Sequence, residues 1–174
     1  MKVAEIDKLL QKTASGDDRA FEELYARTKR GVFSFLHSYL NDYADTEDAM
    51  QTVYLKIKTG IDSYQVGTNG RAWILQIAKN HALNELRKKR QTLNLEEAET
   101  ELPVVQPVVR ETSVEDVLHR VLSVEEGRIV ILHVLWKYKH REIAEMLSCS
   151  TGTVTSKYKR AIEKLKKALK EEER

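Results

Sequence analysis

The stretch Arg141-Glu142-Ile143-Ala144-Glu145-Met146-Leu147-Ser148-Cys149-Ser150-Thr151-Gly152-Thr153-Val154-Thr155-Ser156-Lys157-Tyr158-Lys159-Arg160 decides the fold. Ile143, Ala144 and Leu147 fall at helical spacing. Ser148-Cys149-Ser150 then break the period and offer an N-cap, because a serine oxygen accepts from an orphan amide of the next helix. A second helix starts at about Thr151. Along it Val154, Tyr158, Ala161, Ile162, Leu165 and Leu169 make one apolar stripe, while the opposite face is almost entirely basic or hydroxylic. The pattern predicts a helix-turn-helix. In that motif the second helix enters the major groove with its N-terminal turns at the base edges, so Thr155, Ser156, Lys157, Lys159 and Arg160 are the candidates to touch DNA. An ordinary helical hairpin with a solvated lysine face is the competing reading.

Working outward, the rest of the 174 residues suits one domain or two small ones. Charged residues make up 32% and aromatics 7%, a balance that fits helices with wide polar faces, and seven glycines with two prolines leave few breaks. Net charge is only +2, but it is unevenly spread. Arg71 to Arg90 holds six basic residues against one acidic; Gln91 to Glu126 holds two against nine; Lys137 to Lys170 holds ten against three. Two basic blocks flanking an acidic one are the footprint of a protein that touches nucleic acid in two places. Cys149 is the only cysteine, so no intramolecular disulfide forms, a reducing compartment fits, and the residue reads as a small turn residue. No apolar run is long enough to span a bilayer, and Met1-Lys2-Val3-Ala4-Glu5-Ile6-Asp7-Lys8 lacks the apolar core of a signal peptide. A cytoplasmic location with no direct membrane insertion is expected.

The first helix is predicted over about Val3 to Ala14, ended by Ser15-Gly16-Asp17-Asp18, which also cap the second. That second helix carries a broad apolar face of Phe21, Leu24, Tyr25, Val32, Phe33, Phe35, Leu36 and Leu40, and Asn41-Asp42-Tyr43 reads as a turn. A third helix opens with Asp45-Thr46-Glu47-Asp48, carboxylates suited to a helix N-terminus. Its core stripe is Ala49, Val53 and Ile57, leaving Asp48, Gln51, Thr52 and Leu55 outward as a surface for a protein partner. A metal site there lacks any ordered ligand pattern and any nearby histidine.

After a loop from Ile61 to Gly70, a fourth helix puts Ile74, Leu75, Ala78, Ala82 and Leu86 on one side. Trp73, Gln76, Asn80, Asn84 and Arg87 lie on the other, followed by Lys88, Lys89 and Arg90. Stacking, base-edge hydrogen bonds and phosphate contacts are all available in that strip. Trp73 alone reads equally well as a core residue. Pro103 and Pro107 mark a glutamate-rich segment with no helical period, read as a flexible linker, in which Val104-Val105 and Val108-Val109 are unusual for a free tether. Beyond it, Val114, Val117, Leu118, Val121 and Leu122 form an amphipathic helix that Ser113 caps, and Arg128 to Tyr138 forms another that includes Trp136. The fold class expected is therefore all-α, two small helical domains joined by a linker, the second holding the helix-turn-helix as part of a four-helix unit.

Taken in order, these segments resemble the extracytoplasmic-function (ECF) sigma factors of bacterial transcription, in the sigma-seventy superfamily. Ala20-Phe21-Glu22-Glu23-Leu24-Tyr25 is similar to the start of the family's region 2, and Asp45 to Lys56 is similar to the helix that grips the clamp of the largest polymerase subunit. Arg71 to Asn80 is similar to the segment that melts and reads the minus-10 element, and the tail is similar to region 4, which reads the minus-35 element. The resemblance implies region 2 over 1–92, a linker over 93–112 and region 4 over 113–174. It implies core RNA polymerase, promoter DNA and an anti-sigma factor as partners. Asp48, Gln51, Thr52 and Leu55 would bind core polymerase. Trp73, Gln76, Asn80, Asn84, Arg87 and Lys88 would meet the minus-10 element, with Asn80 and its preceding loop holding an extruded base. Thr153, Thr155, Ser156, Lys157, Lys159 and Arg160 would meet the minus-35 element.

The chain departs from the family at Leu122-Ser123, where leucine-proline is usual, and at Lys139-His140-Arg141, where a serine or threonine before Glu142 is usual, so the source of that helix cap is open. Thr155 stands where a basic residue is frequent, pointing to an unusual minus-35 sequence. A helix-turn-helix transcriptional regulator of response-regulator effector type is the alternative, disfavoured because the first half shows neither alternating strand and helix nor an aspartate ending an apolar strand. A helical adaptor is disfavoured by the two basic blocks. No catalytic residue, metal or cofactor is expected: His37, His81, His119, His133 and His140 are scattered, and no phosphate loop or nucleophile elbow occurs.

Overall fold

The computed structural model describes residues 3–96 and 114–172. They form α1 (Val3–Ala14), α2 (Asp18–Leu40), α3 (Tyr43–Thr59), a single 3-10 turn (Ile61–Ser63), α4 (Gly70–Glu96), α5 (Val114–Val121), α6 (Val124–Val134), α7 (His140–Met146) and α8 (Thr151–Glu172), with no strand among the described residues. The fold is all-α, as the periodicity predicts.

Local chemistry sets the ends of these helices. Gly16 takes φ +85°, and Asp17 Oδ1 accepts from Ala20 N at 3.1 Å to start α2. Asn41 closes α2 at φ +52°, and Asp42 Oδ1 accepts from Asp45 N at 2.9 Å, so α3 begins at Tyr43, two residues before the expected Asp45. Asp45 falls in its first turn instead, where its charge still suits the exposed amides. α6 begins at Val124, not Arg128, because Ser123 and Glu126 form a capping box: Glu126 N donates to Ser123 Oγ at 3.3 Å and Ser123 N to Glu126 Oε2 at 3.0 Å. It stops at Val134, short of the expected Tyr138, and Lys137 turns the chain at φ +58°. At the start of α7 Lys139 N donates to Glu142 Oε2 at 2.7 Å, the reciprocal half of a capping box, and no side-chain oxygen at 139 accepts in place of the absent serine or threonine. Ser148 at φ +52° forms the turn, and Ser150 Oγ accepts from Thr153 N at 3.0 Å to start α8 at the expected residue. α4 runs to Glu96, so the first four residues of the expected linker, 93–96, are helical. Residues 97–113, with the two prolines, both valine pairs and the expected Ser113 cap, lie outside the described residues.

α1 to α4 close around Ile6, Leu10, Leu24, Val32, Leu36, Val53, Ile57, Ile74, Ala78 and Ala82, all fully buried. In the second half Leu122, Val130 and Ala161 are buried, and Leu118, Val121, Tyr158 and Leu165 pack on them. The two bundles dock on one another, and the first core continues without a break through Ile129, Leu132, Trp136, Ile143 and Val154. α2 is the shared wall. Trp136, fully buried, donates from Nε1 to Gly31 O at 3.1 Å, and its indole lies 3.0 Å from where a Gly31 Cβ would be, so a side chain at this position would have to push the indole aside by a few tenths of an ångström. Arg71, 3% exposed, donates to Trp136 O at 2.5 Å and lies over the Tyr138 ring at 4.4 Å. Burial pushes the Tyr138 hydroxyl up to about 12, against the opposing Arg71 charge. Arg128 repeats the device at the other end of the seam, over the Tyr39 ring at 3.7 Å while donating to Ser38 O at 3.2 Å.

Candidate nucleic-acid interface

Because Ile74, Leu75, Ala78 and Ala82 commit one side of α4 to the core, Gln76, Asn80, Asn84, Arg87 and Lys88 stand together in solvent. Gln76 Nε2 donates to Asn80 Oδ1 at 2.8 Å across one turn, which occupies that oxygen and leaves the Asn80 amide protons to donate outward. Lys88 pairs with Glu85 at 2.8 Å, an exposed contact of small energetic weight. Leu83, 41% exposed, falls within the same strip and is not among the sequence candidates; its angle on the helix wheel is the signal that places it there. Trp73 is half-buried, its ring 5.3 Å from that of Tyr64. The Tyr64 hydroxyl lies 3.0 Å from Asp7 Oδ1, which also accepts from Gly70 N at 2.7 Å. Burial, then Asp7, pushes that hydroxyl above the usual tyrosine value. Trp73 and Asp7 thus anchor the loop ahead of α4, a structural duty that fits the core reading of Trp73.

On α3, Asp48 and Gln51 are exposed, Thr52 is half-buried, and Leu55, an apolar side chain 63% exposed, stands beside them. Asp48 and Thr52 border a cleft whose α4 wall is His81, Glu85 and Lys89. Lys89 bridges it by an ion pair to Asp45, and Lys56 Nζ sits 3.3 Å from His81 Nδ1. Burial and then the Lys56 charge hold the His81 imidazole below its ordinary value. Among the described residues no group of three or more histidine, cysteine or acidic side chains is arranged to hold a metal.

The outward face of α8 is more occupied. Ser156, Lys159 and Arg160 are exposed, whereas Thr153, Thr155 and Lys157 are half-buried on its flanks. Thr153 Oγ1 lies 2.8 Å from Ser150 Oγ. Thr155 Oγ1 donates to Thr151 O at 2.9 Å and lies 3.1 Å from His140 Nδ1. Lys157 is ion-paired with Glu125, and Lys164 Nζ lies 2.7 Å from Glu126 Oε2. Burial pushes the Glu126 carboxyl up, but Lys164 and the Ser123 amide and hydroxyl outweigh it and hold the group below the carboxylate norm. Three rings buttress the start of α8: His133 and His140 at 4.8 Å, His133 and Tyr158 at 4.7 Å, His140 and Tyr158 at 5.1 Å. His133 Nδ1 donates to Tyr138 O at 2.8 Å. Burial, then His133, lowers the His140 value, so its ring is neutral near pH 7. None of His140, Glu125 or Glu126 is a sequence candidate, since their partners lie on other elements.

Each half of the chain matches a family model: residues 24–92 match Sigma-70 region 2, and residues 116–165 match Sigma-70, region 4. The chain is 25% identical over 183 residues to the ECF RNA polymerase sigma factor SigW of Bacillus subtilis (strain 168), a match covering 95% of this chain and 97% of that relative. It is 28% identical over 164 residues to the ECF RNA polymerase sigma factor SigM of Mycobacterium tuberculosis (strain ATCC 25618 / H37Rv), covering 93% and 83%. Two solved structures share the fold. One is CnrH in complex with the cytosolic domain of CnrY, with TM-score 0.60, 22% identity, and 95% and 97% of the two chains covered. The other is the sigma factor RpoE of Bartonella quintana in complex with the anti-sigma factor NepR, with TM-score 0.61, 22% identity, and 86% and 96% covered.

Proposed function

The chain belongs to the extracytoplasmic-function sigma factors of the sigma-70 family, and we propose that its halves divide promoter recognition between the strips on α4 and α8. It is a promoter-recognising sigma factor, acting with core RNA polymerase and promoter DNA in the cytoplasm as an initiation factor and not as a catalyst. Asp48, Gln51, Thr52 and Leu55 dock on core polymerase: an exposed leucine among short polar groups suits a partner that buries the patch. Gln76, Asn80, Asn84, Arg87 and Lys88 meet the minus-10 element, with the Asn80 amide donating to an extruded base and the cations lying along phosphates. Trp73 supports the loop before them. Ser156, Lys159 and Arg160 enter the minus-35 major groove, flanked by Thr153, Thr155 and Lys157. In this reading region 2 spans 1–92 and region 4 113–174, and the linker 93–112 between them begins with the last four residues of α4.

The observation that carries the reading is the α4 strip: amides and cations exposed together on a helix whose other side is spent on the core. An anti-sigma factor as a further partner draws support from the RpoE of Bartonella quintana, which shares the fold and was solved bound to one. The test is run-off transcription on a promoter of the chain, with and without core enzyme. Initiation that depends on both components is expected. Tight operator binding by the isolated protein, with no gain in initiation from core, would replace this reading with a repressor. The response-regulator alternative is not favoured, because both halves match sigma regions.

A further inference from the structure

We propose that His140 is a positioning residue for the minus-35 readout, locking Thr155 so that it offers a methyl group to the promoter and selects a thymine. This rests on the reading of α8 as the minus-35 helix. The chemistry follows from counting protons. A threonine hydroxyl has one proton to give, and that of Thr155 goes to Thr151 O at 2.9 Å, since a carbonyl oxygen only accepts. His140 Nδ1, 3.1 Å from the same oxygen, must then be the donor, which fixes the neutral imidazole with its proton on Nδ1. Consistently, Nε2 of the same ring is buried without a partner, the less costly place for an unprotonated nitrogen than for an N–H. His133 and Tyr158 pack against the ring at tilted angles, with centroids 4.8 and 5.1 Å away, and hold it in place.

Two hydrogen bonds from separate elements hold the oxygen of Thr155 and so fix χ1. With its proton committed, the hydroxyl cannot donate to guanine O6 or N7, adenine N7 or thymine O4, the major-groove acceptors. One oxygen lone pair and the methyl remain: the lone pair would call for adenine N6 or cytosine N4, and the methyl, to which the readout is assigned, for the C5-methyl of thymine.

The experiment uses the full-length protein with core polymerase on a promoter selected from a library randomised over the minus-35 element. Each minus-35 thymine is then replaced in turn by uracil, which removes only the methyl. One replacement is expected to lower initiation about threefold to fourfold, the ratio equivalent to burying one methyl-sized group. Thr155→Val, which keeps a methyl, retains that thymine-over-uracil ratio, and Thr155→Ser abolishes it. His140→Ala lowers the ratio while core-dependent initiation persists, and His140→Asn, whose amide donor overlies Nδ1, restores it. Core-dependent initiation with no thymine whose methyl matters, or with a ratio unmoved by Thr155→Ser, overturns the inference and leaves the sigma reading standing. Absence of core-dependent initiation from any selected promoter overturns both.

Discussion

α4 and α8 carry the same kind of outward face, polar and basic along a helix whose other side is apolar, yet the rest of the molecule treats the two faces differently. Beyond contacts within α4 itself, Gln76, Asn80, Asn84, Arg87 and Lys88 are left in solvent. On α8, Thr155 is tied to His140, Lys157 to Glu125 and Lys164 to Glu126, so a smaller set, led by Ser156, Lys159 and Arg160, is left fully outward. The difference teaches that periodicity identifies a face and tertiary partners decide which of its groups are available. It also fits the two tasks proposed for these faces: a strand being opened meets many phosphates and loosened bases, whereas a duplex groove is read by a few fixed side chains.

The largest expected effect tests what the two faces share, the seam behind them. Trp136→Ala removes a fully buried indole between α6 and α2 and is expected to cost about 3 to 5 kcal/mol, seen as a lowered denaturation midpoint at unchanged slope. A loss under about 1 kcal/mol would show that each bundle stands without the seam. Next, Arg160→Ala should cost about 1 to 3 kcal/mol at one minus-35 base pair and relax choice there, measured by initiation from promoters varied singly; uniform weakening would mark a phosphate contact. For Asn80→Ala, docking on duplex promoter should survive while open-complex formation, followed by permanganate footprinting, falls about tenfold, or about 1.4 kcal/mol. Unchanged opening would remove Asn80 from base holding and leave α4 as a phosphate track.

The smallest effect is that of pH. Burial holds both His81, on the α3-facing side of α4, and His140, beside α8, below the ordinary histidine value of 6.5. The folded chain therefore keeps these rings neutral while the unfolded chain takes up protons first as pH falls. Their contribution to stability is level well above 6.5 and declines as pH drops from there through the folded-state values. Melting temperatures at about pH 7.5 and about pH 5.5 should show the decline, and His140→Asn should shrink it. A curve unaltered by that substitution would assign the decline to His81 and the α4 side.

Much of the fold is legible in the sequence because its signals act within a few residues. Asp17 and Ser150 cap the helices that follow them as read, and Ile74, Leu75, Ala78 and Ala82 are buried as their spacing predicts. The spacing misplaces the α6 start at Arg128 although Ser123 and Glu126 spell a capping box, because the apolar run draws the boundary inward. The sequence surface Asp48, Gln51 and Leu55 is exposed as expected, while Thr52 tips toward the cleft made by α4. Trp73 leaves two readings open at the sequence level, and the Tyr64 and Asp7 contacts favour the packed one.

By itself the sequence determined the all-α class, the helix-turn-helix, the two basic faces and the order of segments that resembles a sigma factor. Each of these rests on spacings of three or four residues or on charge counts along the chain, and such information needs no fold. Only the tertiary structure decided that the two bundles share one core, that Trp136 finds Gly31 at 105 residues' separation, and that His140 and Glu125 reach Thr155 and Lys157 from 15 and 32 residues away. These partners are chosen by packing, because a buried indole or imidazole takes whichever acceptor or donor the closing core brings within reach.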